Sequence, residues 1–408
     1  MAGKVLMAMG YDVEAVRAHF PALDTGVAYF DGPGGSQTPD VVADAVGDAL
    51  RSPLANRGRL TEAARNADEI VRTARRRMAE LLGADPGGII FGRSMTTLTF
   101  ELARTLAQDF SPGDEVVVTT LDHDANIRPW EYAATAVGAT VRRADFEPDS
   151  GELTPDDVAA VLTDRTRLVA VTGASNLIGT RPDLAGIAAL VHSVGALFFV
   201  DGVHLSAHAP VEMAALGADF YACSPYKFLG PHCGVLAADP ALLAGLHPEK
   251  LLPASDAVPE RFESGTLPYE LLAGTSAAVD FLADLGGAAG SGRERVLAGM
   301  AAIETHEDEL RAHLEAGLAE LTGVTNRSRA AHRTPTLLLT FADRDAASVA
   351  EMLAATGINA PAGSFYAWEA SHRLGLGAAG GLRIGLAPYT CYADIDRLLD
   401  ALREVLRD

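Results

Sequence analysis

Cysteine is scarce in this sequence. Cys223, Cys233 and Cys391 are the three cysteines among 408 residues, and their spacing is too irregular for a disulfide framework or a zinc site. No metal site is therefore expected, and a reducing, cytosolic compartment is predicted.

Basic residues are outnumbered by acidic ones. The chain has 33 Lys and Arg against 54 Asp and Glu, a formal net charge of -21 at pH 7. Nucleic acid and anionic membrane surfaces are bound through clustered Lys and Arg, so this balance argues against both as partners. The arginine cluster Arg75–Arg77 is interpreted as a solvated helix face.

A long apolar segment is missing as well. No stretch of about 18 or more apolar residues is present to span a bilayer, and residues 1–10 lack the apolar run and cleavage pattern of a secretory signal. The hydrophobic content of 48% nevertheless suffices for a large core. The length predicts two domains that share this core.

Short, nearly unbroken apolar runs alternate with helical stretches along the first two thirds of the chain. The runs lie at 115–119, 140–143, 168–172, 197–200 and 234–236. This alternation predicts an α/β fold with a mostly parallel sheet that is flanked by helices and buried on both faces. Three of the runs are followed by His123, Asn176 and Asp201, at the strand ends where ligands bind in open α/β sheets.

An acidic residue and a lysine follow two neighbouring predicted strands. Asp201 ends the run that begins at Leu197, and Lys227 lies among small and ring residues in the segment Ser224–Pro231. The pair suits pyridoxal 5'-phosphate (PLP), because the aspartate would keep the pyridine nitrogen protonated and the lysine would bind the aldehyde and later move protons. Either residue alone means little, since most lysines are solvated and a strand-end aspartate is often a cap.

A helix start could hold the phosphate of such a cofactor. Ser94, Met95, Thr96 and Thr97 follow the strand-like run 88–91 and open a helix, where backbone N–H groups and hydroxyls favour an anion. From the residues alone, a simple helix cap explains this segment equally well.

The motifs together resemble the class V aminotransferase family of PLP enzymes, fold type I, and within it the cysteine desulfurase-like branch. The resemblance extends from Tyr29 to Leu386, and its motifs are Phe91–Thr97, Asp122–Asn126, Ala174–Thr180, the Asp201 and Lys227 segments, and Phe262–Thr266. It implies a large PLP-binding domain at 31–285 and a smaller α+β domain at 286–408. The segment 1–30 is expected to pack on the small domain. The boundary is placed in the glycine-rich stretch 285–292.

The resemblance also implies roles around the cofactor. His123 would stack on the cofactor ring, and Asn176 would bind its phenolic oxygen. The residues implied at the phosphate are Met95, Thr96 and Ser224, joined by Gly265 and Thr266 from the partner subunit. A homodimer with shared active sites is therefore expected.

On the substrate side, the resemblance assigns Arg383 to the α-carboxylate of an amino acid, in a bidentate contact. A structural ion pair is the alternative, because an arginine inside an apolar strand needs a partner in any case. Asn56 and Arg57 match a second loop on the substrate side.

Four positions depart from the desulfurase pattern. Tyr366 stands where those enzymes carry their sulfur-accepting cysteine, and a tyrosine cannot carry a persulfide. Pro361 replaces a substrate-binding arginine, His204 replaces a glutamine, and Tyr226 replaces the histidine before the lysine. Because all four surround the cofactor or substrate, ordinary cysteine desulfuration is not predicted.

Cys391 is a candidate for a substitute nucleophile. It lies at the start of the last predicted helix, with Thr390 as the expected N-cap, where the helix dipole would lower a thiol pKa. Nothing in the sequence places it near the cofactor, so a bystander role is favoured.

The leading hypothesis is a PLP enzyme that breaks the C–S bond of an S-substituted cysteine, with Lys227 as the base that removes the α-proton. Epimerisation, transamination and decarboxylation-linked deamination begin from the same bound substrate and stay open. A non-catalytic, ligand-sensing protein of the same fold is the alternative from another class. The joint presence of Lys227, Asp201, His123 and Arg383 argues against it.

Overall fold

The computed structural model describes residues 11–407. The first ten residues of the expected N-terminal segment lie outside the described residues. In chain order the strands are β1 (Ala28–Tyr29), β2 (Ile89–Gly92), β3 (Glu115–Thr119), β4 (Thr140–Ala144), β5 (Thr166–Thr172), β6 (Leu197–Asp201), β7 (Phe220–Cys223), β8 (Gly234–Ala238), β9 (Val324–Asn326), β10 (Thr336–Phe341), β11 (Ile358–Asn359), β12 (Ala362–Gly363) and β13 (Gly381–Gly385).

Helices separate and flank these strands. They are α1 (Val13–Arg17), α2 (Asp40–Arg51), α3 (Glu62–Leu82), α4 (Met95–Ala107), α5 (Arg128–Ala136), α6 (Pro155–Ala159), α7 (Leu184–Ser193), α8 (Met213–Leu216), α9 (Pro240–Ala244), α10 (Tyr269–Asp284), α11 (Gly292–Ala319), α12 (Ala346–Ala355), α13 (Trp368–Arg373) and α14 (Tyr392–Val405). In the described part of the chain, no helix is long and apolar enough to cross a membrane.

The main sheet has seven strands in the order β2-β8-β7-β6-β5-β3-β4. Strands β3 to β7 run parallel to one another, and β8 pairs antiparallel with both β7 and β2. The predicted α/β fold with a mostly parallel sheet is confirmed. Its strands read as unbroken apolar runs because successive side chains enter different cores: Val117 and Phe198 pack in one cluster, Val116 and Phe199 in the other.

The C-terminal part contains an antiparallel sheet in the order β12-β13-β10-β9. Residues from the N-terminal segment contact this part. The Tyr11 hydroxyl donates to the Pro388 carbonyl at 2.8 Å, and Arg17 pairs with Asp394 at 2.8 Å. Strand β1 pairs with β11. The domain boundary near 285–292 stays a prediction.

Capping residues define where the two long C-terminal helices begin. Helix α11 begins at Gly292 because Ser291 and Glu294 form a capping box. Helix α14 is capped by Cys391, whose backbone N–H donates to Asp394 at 3.2 Å. Thr390 is not the N-cap, because its hydroxyl accepts from the Ala387 N–H at 3.0 Å instead.

Candidate active site

A cavity of about 690 Å³ opens at the carboxyl ends of the parallel strands. It collects most of the residues that the sequence singled out, although they are far apart in the chain. The predicted site residues that line it are Met95, Thr96, His123, Asn176, Asp201, His204, Ser224, Tyr226, Lys227, Tyr366 and Arg383.

Asp201 is the last residue of β6 and is 4% exposed. Its Oδ1 accepts from the Val203 N–H at 3.0 Å. Burial raises the pKa of Asp201 to about 6, although the Val203 hydrogen bond and the charge of Lys227 oppose the shift. Above that pH the cavity therefore holds a buried negative charge, and such a charge needs a cationic or protonated partner.

Lys227 ends the short helical turn Pro225–Lys227 that follows β7. Its Nζ donates to the Pro33 carbonyl and lies 4.7 Å from the centre of the Tyr226 ring. Burial and the charge of Arg383 lower the pKa of Lys227 to about 8, while Asp31 and Asp201 oppose the shift. A lysine of this kind carries a substantial neutral, nucleophilic fraction near neutral pH.

His123 follows β3 and is neutral. Its Nδ1 accepts from the Ala125 N–H at 3.0 Å, and burial together with the charges of Lys227 and Arg383 lowers its pKa to about 4. The loop that carries it is held by Asp122, whose Oδ1 accepts from Asn126 Nδ2 at 2.7 Å. This buried network fixes the position of the imidazole relative to the strand end.

His204 lies on the wall next to Asp201. Its Nε2 is 2.9 Å from the hydroxyl oxygens of both Thr334 and Thr336. Burial, followed by the charge of His208, lowers its pKa well below the usual value, so the ring is neutral. Within residues 11–407 its buried Nδ1 has no hydrogen-bond partner.

Arg383 on β13 is 2% exposed and already has partners in the protein. Its Nη2 pairs with Asp31, and its Nη1 donates to the Asn176 carbonyl at 3.2 Å. The Phe365 ring covers one face, with its centre 3.7 Å from Cζ. The ion-pair alternative considered from the sequence is therefore present, and the arginine also faces the cavity.

Asn176 joins the same cluster through its side chain. Nδ2 donates to the Phe365 carbonyl at 2.9 Å. The buried Oδ1 has no hydrogen-bond partner among the described residues. Both Phe365 and its neighbour Tyr366 have left-handed backbone conformations, with φ of 53° and 60°, which cost roughly 1–2 kcal/mol per residue. The hydrogen bonds from Asn176 to Phe365 and from the Asp124 N–H to Tyr366 hold this loop in place.

The start of α4 faces the cavity as an anion site would. Ser94 is its N-cap and accepts from the Thr97 N–H at 3.1 Å, so the cap interpretation is confirmed for Ser94. Met95 and Thr96, the two residues after this N-cap, line the cavity. Ser224, buried at the end of β7, lines it as well.

Four predicted residues are not part of this cavity. Asn56 is exposed, and Arg57 pairs with Asp68 at 3.0 Å and Glu260 at 3.2 Å, which ties it to the protein surface instead of a substrate site. Gly265 and Thr266 are exposed outside the cavity. Their assignment to a partner subunit's phosphate site stays a prediction.

The loop before Gly265 also corrects the interpretation of the arginine cluster. Arg75 is 6% exposed, and its two Nη atoms bind the two Glu263 carboxylate oxygens at 2.9 Å each. It is therefore not on a solvated face. The Phe91 N–H donates to the same carboxylate at 3.0 Å, so the pair anchors the loop 260–266 to α3 and β2.

Sequence reasoning missed Asp31, Phe365 and Arg128, which all line the cavity. Asp31 and its partner Arg383 are 352 residues apart, and no local pattern marks such a pair. A left-handed backbone is usually signalled in a sequence by glycine or asparagine, and Phe365 is neither. Arg128 precedes a proline at a helix start, which is also an ordinary structural context.

A family model described as "Aminotransferase class-V" matches residues 28–398 of the chain. The chain belongs to this family. It is 33% identical over 397 residues to an uncharacterized protein of Mycobacterium tuberculosis (strain CDC 1551 / Oshkosh), with 97% of this chain and 99% of the relative covered. A cysteine desulfurase of Dickeya dadantii (strain 3937) is 32% identical over 419 residues, with 97% of each chain covered. The crystal structure of the Escherichia coli cysteine desulfurase CsdA in its S-sulfonic acid form has a TM-score of 0.85 and 28% identity, covering 97% of this chain and 99% of that chain.

The protein is accordingly a PLP-dependent enzyme of the class V aminotransferase family. The residues of its cavity fit the cofactor. A buried carboxylate, a lysine with a lowered pKa, a helix start and an unpartnered amide oxygen, all within the described residues, give contacts for a pyridine nitrogen, an aldehyde, a phosphate and a phenol.

Proposed function

We propose that this PLP enzyme cleaves the Cβ–S bond of an S-substituted cysteine. The placement of the three cysteines carries this proposal, because none of them lines the cavity. All three are buried. Burial raises the thiol pKa of all three cysteines above the usual value. The pKa of Cys233 rises to about 11. The expectation that the helix dipole lowers the pKa of Cys391 is wrong, since burial outweighs it.

Because no cysteine thiolate lines the cavity, the enzyme has no group there that could accept the sulfur of the substrate. The sulfur therefore has to leave together with the substituent that it carries. When bound, PLP supplies an electron sink for negative charge at the substrate Cα. Asp201 would face the pyridine nitrogen and, above its pKa of about 6, stabilise it in the protonated form. The start of α4 and Ser224 would hold the phosphate, and His123 would pack on the ring as a neutral imidazole.

Lys227 and Arg383 would act on the substrate itself. The neutral amine of Lys227 would take the α-proton, and Arg383 would bind the α-carboxylate. The Cβ–S bond then breaks with its electron pair on sulfur, which gains a proton. The net reaction is S-substituted cysteine plus water to thiol, pyruvate and ammonia.

We also propose that the active enzyme is a symmetric homodimer. Gly265 and Thr266 lie outside their own subunit's cavity, yet Arg75 and Glu263 hold their loop in a defined position. An exposed but anchored loop of this kind is suited to completing a site on a second copy of the chain.

The test of the lyase reaction is product stoichiometry. Purified enzyme loaded with PLP is incubated with S-alkyl and S-benzyl cysteines, and thiol, pyruvate and ammonia are measured. Equal amounts of the three are expected, with none from Lys227→Ala. Free L-cysteine with a reductant should release no sulfide through a persulfide, because Tyr366 cannot form one.

A different result would change the assignment. If those conjugates stay intact while another amino acid exchanges its α-proton or loses its amino group to a keto acid, the enzyme is an epimerase or an aminotransferase. Release of sulfide from L-cysteine that is lost when one of the three cysteines is replaced would also remove the observation on which the lyase proposal depends, because an enzyme cysteine would then be accepting the sulfur.

A further inference from the structure

Aromatic rings surround the entrance of the active-site cavity. Phe100 on α4 and Tyr132 on α5 are nearly parallel, with ring centres 6.4 Å apart and an interplanar angle of 17°. Tyr366 packs against His123 with ring centres 5.5 Å apart. Tyr132 is 63% exposed and Tyr366 is 75% exposed. Together these rings form an exposed apolar patch at the mouth of the cavity, of the kind that marks ligand-binding grooves.

Within residues 11–407, each nitrogen of the arginine at this entrance already faces a carboxylate. Arg128 lies one helical turn before Tyr132, and its three nitrogens face three carboxylates. Nε pairs with Asp124 at 2.8 Å, Nη1 with Glu131 at 2.7 Å, and Nη2 with Glu369 at 2.6 Å.

Arg143 also pairs with Glu131, so three carboxylates face two arginines and one negative charge is in excess around Arg128. Burial raises the pKa of Asp124, and the charges of Glu369 and Glu131 add to the rise while Arg128 opposes it. The carboxylates at this entrance already neutralise Arg128. An anionic side chain of a substrate would therefore approach other negative charges there. Such a like-charge approach is unfavourable.

The inner cations of the described cavity are also engaged. Arg383 is paired with Asp31, and the Lys227 Nζ donates to the Pro33 carbonyl. A substrate whose α-amino and α-carboxylate groups are held there must extend its side chain toward the entrance. The cavity volume of about 690 Å³ lies in the range of sites that hold drug-sized ligands, so a bulky side chain has room beside a cofactor.

We propose that the enzyme selects amino acids whose side chain ends in an uncharged, apolar group, best an aromatic ring, and that it rejects anionic side chains. The proposal deepens the proposed function, since it concerns the side chain of the amino acid bound near Lys227 and Arg383. It does not depend on which bond of that amino acid is broken.

Sulfur-free analogues separate binding from C–S cleavage. Replacing sulfur by CH₂ turns S-benzylcysteine into 2-amino-5-phenylpentanoate, S-carboxymethylcysteine into 2-aminoadipate, and S-methylcysteine into norvaline. Dissociation constants of the three L-isomers are measured by calorimetry with the PLP-loaded enzyme. The phenyl compound should bind roughly tenfold more tightly than norvaline, the size of a well-formed aromatic contact. Aminoadipate should bind more weakly than norvaline.

Variants test which residues set the preference. Tyr132→Ala and Tyr366→Ala should each reduce the advantage of the phenyl compound over norvaline several-fold. Glu369→Gln removes one of the three acids on Arg128 and should strengthen aminoadipate binding several-fold. Tyr392→Ala is the matched control, because this tyrosine is 47% exposed on α14 and does not line the cavity.

Aminoadipate binding as tight as that of the phenyl compound would overturn the proposal, as would an unchanged preference in both tyrosine variants. If one variant does not fold, the other and Glu369→Gln decide. If the predicted order of affinities holds while S-benzylcysteine is not cleaved, the lyase function fails and the side-chain preference stands.

Discussion

The lowered pKa of Lys227 gives a quantitative prediction for cofactor binding. With a pKa of about 8, about a quarter of the amine is neutral at about pH 7.5, against about one part in a thousand for an ordinary lysine. Only the neutral amine attacks an aldehyde. The rate at which cofactor-free protein captures PLP should therefore rise with pH through about 8 and level off above about 9.

Borohydride trapping measures this rate. Cofactor-free protein is mixed with PLP at a series of pH values, quenched with borohydride at short times, and the fixed cofactor is quantified by mass spectrometry. The chain has two other lysines, Lys4 and Lys250, so the background is small. Lys227→Ala should lose the trapped adduct, and Lys250→Ala is the matched control that should keep it.

Two substitutions should move the pH profile in opposite directions. Arg383→Gln removes a positive charge that lowers the pKa of Lys227, so capture at about pH 7.5 should slow and the profile should shift to higher pH. Asp31→Asn removes a negative charge that raises this pKa, so the profile should shift to lower pH. A wild-type inflection near the ordinary lysine value of about 10.4, or shifts of the same sign in both variants, would refute the reasoning.

Two further predictions concern the substrate and the dimer. Arg383→Ala should raise KM by at most roughly ten- to hundredfold, because a charged hydrogen-bonded contact contributes about 1.5–3 kcal/mol and the lost pair with Asp31 offsets part of it. Steady-state kinetics with an unchanged KM would show that Arg383 serves only its pair with Asp31. If Thr266 completes the partner's site, mixing Lys227→Ala with Thr266→Val subunits should restore cofactor affinity and turnover in half of the sites of the mixed dimer. An active monomer in light scattering, or no recovery on mixing, would contradict the shared site.

The sheet and the position of the site could be predicted because their signals are local. Runs such as 168–171 and 197–200 are apolar throughout, and so short an apolar run is typical of a strand that is buried on both faces. Parallel strands bring their carboxyl ends to one edge. The residues directly after them, Asp201 and His123 among them, therefore meet in one cavity although they are distant in sequence.

The contacts that surround this cavity could not be predicted, because they depend on tertiary packing. The run of three arginines predicts that Arg75 is solvated. In the structure it is buried, because it pairs with Glu263, which is 188 residues away in the chain. Cys391 looked activated at a helix start, yet burial raises its thiol pKa. In both cases the local pattern was identified correctly, and desolvation or a distant partner decided the outcome.

The pair of Arg383 with Asp31 limits how much binding energy the substrate gains from this arginine. A carboxylate that enters must share or replace Asp31, so the gain is the difference between two ion pairs rather than the full strength of one. Asp31 can yield, because its side chain is 32% exposed and is readily hydrated when displaced. Phe365 covers the face of the same guanidinium from a loop with two left-handed residues, whose strain favours movement when a ligand replaces the contact. Asp31→Asn should consequently lower KM while Arg383→Ala raises it, a pair of opposite effects that a purely structural ion pair would not produce.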